Sequence, residues 1–586
     1  MTVRPNTYSP MLLSRPSRRT FLTQSSLAVA SSVLGRSAAG MITRGSIIVP
    51  SRATQPVASF APPLVEPETL RTLARTAIDA ATQAGAQYAD IRLGDQRAFR
   101  CNSGFNGVLT LTYGYGLRVE IDGTTAFIGG TDPTPERLIA AARSAVVTAR
   151  GLAKTSHIVG GAAHSSDDSN AHRVDRSTSD LFAHVPVVTG EWRAPIAIDP
   201  FSVSPDDHMY ALAGIGGIND VFRGPVEVSG IDMTWTTETR VFVSSAGSMV
   251  TQQLAMACPW FGLMGFSQDP SAVAGETYMP EGLRIFPPAT VGFEYVLGMP
   301  LRERIHQAMV DLVPWTAYPI GQAEVGRKEL VFDGTTFGRV IGETVFPALA
   351  LNRVLGDEQD VSGTSFLAPP EAVLGQPLFA PSLNVSVVTG GTHFARMQWD
   401  DEGSTPRDFP VIARGAVVDY LTDHATLPVM RDWYTKRGQS LQPQGIFRAN
   451  TADGVPRAAP GACLVESTPN GPASLTELAR TMKDGVIVRS GYPLGDQQGA
   501  GGWINSANLF EVRKGVITRR LVHGNIEFST KSLLKGIKTI GGPETMETTT
   551  NALTSGVPVT EIPQTVTAPA VYVPNGNLTS TALHLS

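Results

Sequence analysis

The stretch from Gly338 to Gly356 constrains this chain more than any other. Within Gly338-Arg-Val-Ile-Gly-Glu-Thr-Val-Phe-Pro-Ala-Leu-Ala-Leu-Asn-Arg-Val-Leu-Gly356 the apolar residues recur at helical spacing. The run follows an apolar pair, Leu330-Val331, and a turn, Asp333-Gly334, so it predicts a buried helix around which neighbouring elements must pack. Pro347 falls inside it. Proline has no N–H and crowds the turn before it, so a change of helix geometry or an early break is expected at that point.

Downstream, Trp399-Asp-Asp-Glu-Gly-Ser-Thr-Pro406 leads through Val411-Ile412 and the turn Arg414-Gly415 to Val417-Val418-Asp419-Tyr420-Leu421. Together with the helix, this phrase resembles the C-terminal domain of the TldD/PmbA family of bacterial metalloproteases and their partners. In active members of that family an H-E-x-x-x-H helix lies where this chain has Gly342-Glu343-Thr344-Val345-Phe346-Pro347. The resemblance therefore makes Glu343 the general-base position and puts Gly342 and Pro347 at the two histidine positions. A catalytic zinc takes three protein ligands, usually imidazole, carboxylate or thiolate, and leaves a position open for water. Glycine and proline offer none of these, so no cofactor is expected here, although active family members carry zinc. Without a metal to polarise water, a general base at Glu343 has no nucleophile to activate. The family's third ligand, a cysteine near the C-terminus, has no counterpart after Cys463, where Gly542-Pro-Glu-Thr-Met-Glu-Thr-Thr-Thr-Asn551 occupies the region.

Near the start of the sequence lie Ser17-Arg18-Arg19-Thr20-Phe21-Leu22, a moderately apolar segment to Leu34, and the small residues Ser37-Ala38-Ala39. This order reads as a twin-arginine export signal over 1–39, which implies a periplasmic or extracytoplasmic protein. The segment is too short and too polar to span a bilayer, and no later stretch is apolar enough. Lys+Arg 47 against Asp+Glu 52 give a net charge of −5, with no basic cluster interleaved with aromatics, which excludes an electrostatic footprint for nucleic acid. Cys101, Cys258 and Cys463 are far apart and form no C-x-x-C pair; two of them could pair in an oxidising compartment, and no spacing says which.

The expected fold class is α+β: an α/β N-terminal domain, then a β-rich, barrel-like C-terminal domain around the buried helix, the barrel-like form being implied by the resemblance. After a linker at 40–63, an N-terminal domain is read at 64–180, a middle region at 181–330 and the C-terminal domain at 331–586. In the first domain, Pro67–Ala84 and Pro133–Leu152 read as helices, 85–93 and 107–112 read as strands, and 113–123 leads into 124–130 as a hairpin with an Asp122-Gly123 turn. The Ala89-Asp90 pair and Tyr115-Gly116-Leu117-Arg118 carry the resemblance in this part. The tract 155–180, with His157, His164 and His172, reads as a loop rather than a metal site. Gly265-Phe-Ser267-Gln-Asp269 lacks the closing glycine of a nucleophile elbow.

Asp400, Asp401 and Glu402 invite a metal or acid–base reading, but the resemblance implies a tight acidic turn before a hairpin, with a share in a peptide cleft as the alternative. Family members work in pairs, a zinc-bearing subunit with a metal-free homologue, on peptides or unfolded polypeptides. The resemblance thus implies a non-catalytic subunit, a homo- or hetero-dimer with a TldD-type homologue, that shapes a peptide cavity. The alternatives are an active peptidase with a different metal site or mechanism and a periplasmic peptide-binding protein.

Overall fold

The computed structural model describes residues 63–102, 107–162, 187–216, 218–272, 278–283, 286–298, 300–356, 364–495, 499–505, 508–555 and 560–580. The segment 1–39, read as an export signal, and the histidines of the 155–180 tract lie outside the residues whose side chains are described. Among the described residues no helix is long and apolar enough to cross a membrane.

Helix α1 (Pro67–Gln83) buries Leu70, Leu73, Ala74, Ala77 and Ile78, the apolar stripe that its sequence spacing predicts. Strands β1 (Tyr88–Asn102), β2 (Gly107–Ile121) and β3 (Thr124–Thr131) follow, then α2 (Pro135–Ala162), which runs further than expected. The β2–β3 hairpin turns on Asp122 and Gly123 with φ of 50° and 71°, a left-handed pair that matches the twist of the flanking strands. Next come β4 (Thr189–Arg193), β5 (Val226–Ser244), β6 (Met249–Phe266) and β7 (Tyr278–Leu283). All seven strands share one sheet in the order β3-β2-β1-β5-β6-β4, with β7 beside β6. The 180/181 boundary therefore divides the sequence but not the sheet, because β1 pairs with β5 from Asp90↔Ser244 to Asn102↔Asp232.

Period-two alternation gives this sheet two unlike faces. Ile91, Leu93, Leu117, Val119, Val241 and Val243 pack against α1 and α2. Their neighbours Asp90, Arg92, Arg118, Glu238 and Arg240 are buried on the opposite face.

Helix α3 (Leu301–Thr316) precedes the C-terminal part, which begins with β8 (Ile320–Gln322) and β9 (Gly326–Phe332). The short strands β10 (Val385–Val388), β11 (Phe409–Ala413), β12 (Ala416–Val417), β13 (Phe447–Arg448), β14 (Arg457–Ala458) and β15 (Ala462–Val465) come next. They are followed by β16 (Asp484–Arg489), β17 (Tyr492–Gly495), β18 (Gly501–Asn505), β19 (Asn508–Arg513) and β20 (Val516–Val522). The chain ends with β21 (Gly524–Ser529), β22 (Thr539–Ile540), β23 (Glu547–Ser555), β24 (Thr560–Ala568) and β25 (Val571–Ser580). One sheet runs β17-β18-β21-β25-β9-β16-β19-β20-β8 with β22 beside β25, and another runs β12-β11-β10-β15-β24-β23. Both paths have two ends among the described residues, so the barrel-like expectation is corrected to open sheets around a buried helix.

That helix is not one regular cylinder. Helix α4 (Gly334–Val340) passes into a π-helical turn, Ile341–Val345, and then into α5 (Phe346–Leu349). The Phe346 N–H bonds to the Ile341 carbonyl, five residues back. Pro347 has no N–H for the residue four before it, and a widened turn just ahead of it accommodates that loss. Ala350 is extended, at ψ 115°, before the short helix α6 (Leu351–Val354). Asp333 caps α4 by accepting from the Thr336 N–H at 2.7 Å.

Candidate functional site

Residues 342–347 span the π-helical turn and the start of α5, and the turn packs against β23 and β24. Asn551 and Gln564 face each other across those strands, and both point at the turn. The Asn551 amide donates to the Arg339 carbonyl at 3.2 Å, and the Gln564 amide to the Gly342 carbonyl at 3.2 Å. A Cβ added at Gly342 would lie 2.5 Å from Asn551 Cγ. The region 542–551 is thus brought against Gly342, and the group it presents is a carboxamide. Arg339 fixes the turn from the other side: Nη1 donates to the Ser490 and Gly491 carbonyls at 3.1 and 3.0 Å, and Nε to Thr549 Oγ1 at 3.2 Å. Its guanidinium stacks 3.8 Å from the centre of the Tyr492 ring on edge strand β17. Glu343 is half-buried, and its Cγ lies 3.7 Å from where a Cβ at Gly495 would be, which places it beside β17.

The donor set does not fit zinc. Gly342 has no side chain, Pro347 is buried with no basic atom, and Asn551 fills the space into which a side chain at 342 would project. Among the described residues, no three His, Cys, Asp or Glu side chains gather as a ligand group. Among the described residues, Cys101, Cys258 and Cys463 form no disulfide. Burial pushes the Cys101 thiol up to about 12.

Asp400, Asp401 and Glu402 lie elsewhere, sealed beneath the charged face of the first sheet with exposures of 3%, 4% and 1%. Asp401 accepts from Arg92 Nη1 at 2.6 Å, Arg240 Nη1 at 2.8 Å and the Ala449 N–H at 2.7 Å. Burial opposes ionisation of Asp401, but Arg240 and Arg92 outweigh it and hold the carboxyl below its usual range. Glu402 accepts from Arg118 Nη1 at 2.5 Å and from the His424 N–H at 2.9 Å. Arg118 also forks onto Asp90, and Arg240 onto Glu238. Asp400 meets no arginine. It accepts the Glu402 and Ser404 N–H groups at 2.9 and 2.8 Å and that of Phe447 at 3.0 Å, closing the turn. Burial, then the charge of Glu402, push its carboxyl well above the ordinary range. These contacts support the structural reading of the acidic phrase: it pins the C-terminal part to the first sheet.

Sequence reasoning passed over Arg92, Arg240 and Glu238. Their signal is polar residues at alternate positions of long apolar strands, Asp90-Ile-Arg92-Leu and Glu238-Thr-Arg240-Val. It also passed over the contact of Ser404 Oγ with His424 Nε2 at 2.6 Å. That pair is not built as a nucleophile and base. Both residues are buried, Glu402 sits 3.8 Å from the same Nε2, and burial with Arg118 pushes the imidazole down to about 4.

Residues 325–580 match the PmbA/TldA metallopeptidase C-terminal domain. TldE from Thermococcus kodakarensis is similar in structure, at 15% identity and TM-score 0.60, covering 87% of this chain and 100% of that one. A protein described as a modulator of DNA gyrase from Bacteroides thetaiotaomicron is also similar, at 14% identity and TM-score 0.58, over 88% of this chain and 100% of its own. Another protein so described, from Thermotoga maritima, matches at 14% identity and TM-score 0.59, over 87% and 100%. At these identities the structural matches speak for the fold alone. No curated protein sequence matches the chain.

Proposed function

We propose that this chain is an exported, metal-free homologue of the TldD/PmbA metallopeptidases. In this reading it joins an active, zinc-bearing homologue and helps shape the cavity that receives a peptide or unfolded polypeptide. The observation that carries it is the filling of the motif turn: a glycine and a proline at the positions where the resemblance puts histidines, with the Asn551 carboxamide packed against the glycine. The match of residues 325–580 to the family's C-terminal domain supports the family part of the reading. Glu343 keeps the general-base position, and in this reading it is not functional in catalysis, because Gly342 and Pro347 offer no ligand for a metal that would polarise water. Asp400, Asp401 and Glu402 contribute by fixing the cavity's walls to one another rather than by touching substrate.

The test is metal content and cleavage together. Elemental mass spectrometry on mature protein, purified without chelators or a histidine tag, is expected to find less than about a tenth of a zinc per chain. The isolated protein is expected to leave unfolded peptides intact, and a co-expressed homologue carrying H-E-x-x-x-H is expected to co-purify and to cleave them. Close to one zinc per chain, or cleavage by the isolated protein that Glu343→Gln abolishes, would replace this reading with an active peptidase. Peptide affinity with no turnover in any mixture would leave a binding protein.

A further inference from the structure

Arg448 is a buried guanidinium, 5% exposed, whose hydrogen bonds all go to main-chain carbonyls. Nε donates to the Ala459 carbonyl at 2.7 Å; Nη2 donates to the Pro460 carbonyl at 3.3 Å and to that of Pro563. Among the described residues no carboxylate forms an ion pair with it, in contrast to Arg92, Arg118 and Arg240. A buried charge without a counter-ion is costly. That cost is visible in its acidity: burial, reinforced by Arg240 and opposed by Asp401, brings the guanidinium down to about 10.

Two adjoining hollows meet at this side chain and share Phe394, Ala395, Arg396, Met397 and Arg448 in their walls. One extends to Arg240, Leu254 and Met256 on the first sheet, the other to Val388 and Thr389 at the end of β10. Arg396, half-buried, donates through Nη1 to the Gly391 carbonyl at 2.9 Å and likewise forms no ion pair. Its segment is fixed in place: Thr290, 1% exposed, accepts from the Arg396 N–H at 2.9 Å and donates to the His393 carbonyl at 3.0 Å. Glu238 is the one carboxylate in either wall, and both its oxygens are taken by Arg240 at 2.8 and 2.7 Å. Of their donors, Arg396 Nη1 and Arg448 Nε and Nη2 go to main-chain carbonyls, so the lining offers the remaining N–H groups of two guanidiniums beside an apolar wall, and its carboxylate Glu238 is already paired.

We propose that these hollows bind a carboxylate carried on a short apolar group, the chemistry of a peptide C-terminus, with Arg396 and Arg448 on the carboxylate and Leu254, Met256 and Phe394 around the last side chain. Arginine suits this role because its fixed fork of N–H donors matches the two carboxylate oxygens. As a substrate determinant, the site rests on the peptide-binding reading; as a carboxylate site, it stands apart from it.

Fluorescence anisotropy on the mature full chain tests this with a labelled pentapeptide ending in leucine, as the free acid and as the C-terminal amide. N-acetyl-leucine and an amide-capped peptide ending in glutamate serve as further ligands. The free acid is expected to bind about tenfold more tightly than the amide, and Arg396→Ala to abolish that difference. Arg448→Met is expected to do the same. Because Arg448 also ties three carbonyls, Arg396→Ala at the half-buried position keeps the test independent of folding, with an unchanged melting midpoint as its control. Equal affinity for acid and amide, or a preference that survives Arg396→Ala, overturns the proposal. Binding of the glutamate-ended amide at the strength of the free acid moves the source from the chain terminus to a side chain. If peptides fail to bind while N-acetyl-leucine binds and Arg396→Ala loses it, the carboxylate site stands and the peptide reading falls. If peptides bind without an acid–amide preference, the reverse holds. If no ligand binds, both fall.

Discussion

Asp401 holds two arginines, Arg92 and Arg240, on neighbouring strands of the first sheet, and all three side chains are nearly free of solvent. Removing one partner of a buried ion pair leaves the other charged and unpaired, which typically costs about 3–5 kcal/mol, far more than the net worth of the pair. Asp401→Asn is therefore expected to destabilise the chain on that scale, read as a lower denaturant midpoint. A replacement as harmless as one at an exposed site would show that the cluster contributes nothing to holding the parts together. His424 makes a second, pH-dependent contribution. Its folded-state value of about 4 lies below the ordinary 6.5, chiefly through burial, so unfolding takes up a proton between those values. Stability gained from keeping the imidazole neutral is thus fully present above about 6.5 and is lost as pH falls toward 4. Thermal midpoints measured across that window should fall with acid more steeply in the natural chain than in His424→Asn; identical slopes would remove His424 as a cause.

The helical element shows how one side chain sets a neighbour's options. A Cβ at Gly342 would meet Asn551, whose amide is tied to the Arg339 carbonyl on the same helix, so Gly342→Ala overpacks a closed space. The expected cost is about 1–3 kcal/mol, and Asn551→Gly should relieve most of it. The two substitutions are expected to be strongly non-additive in a double-mutant cycle, and additivity would mean that the two groups do not share the space. The same packing explains why the helix could be read from sequence while its internal form could only be partly anticipated. Apolar spacing from Gly338 to Gly356 announced a buried element, and Pro347 announced trouble within it. The π-helical turn at Ile341–Val345 packs against strands β23 and β24, more than two hundred residues later, and the extended break at Ala350 bridges to Leu421.

Across the whole molecule, the first-sheet strands β1, β2 and β5 and the turn at 400–402 come from segments hundreds of residues apart, so their pairing is a product of topology. The twin-arginine reading of Ser17-Arg18-Arg19 belongs to this scale as well, since in the proposed function it would direct the chain out of the cytoplasm. Replacing Arg18 and Arg19 together by lysine is expected to keep the protein in the cytoplasm with its leader uncleaved, as judged by fractionation and intact mass; periplasmic recovery of a shortened chain would exclude that pathway.

By itself, the sequence determined the local elements whose cause is local: amphipathic α1, the Asp122-Gly123 hairpin, the buried helix and the punctuation at Pro347. Each follows from spacing or backbone chemistry within a few residues. It also announced the donor poverty of Gly342 and Pro347, because a side chain that is missing from the sequence is missing from the fold. Only the tertiary structure decided that Asn551 closes the space at Gly342 and that Asp401 meets Arg92 and Arg240. It alone left Arg448 buried among carbonyls with no carboxylate partner. Those outcomes depend on which face of a strand meets which distant turn. Alternation predicts that a strand has two faces, but what each face packs against is settled by long-range packing.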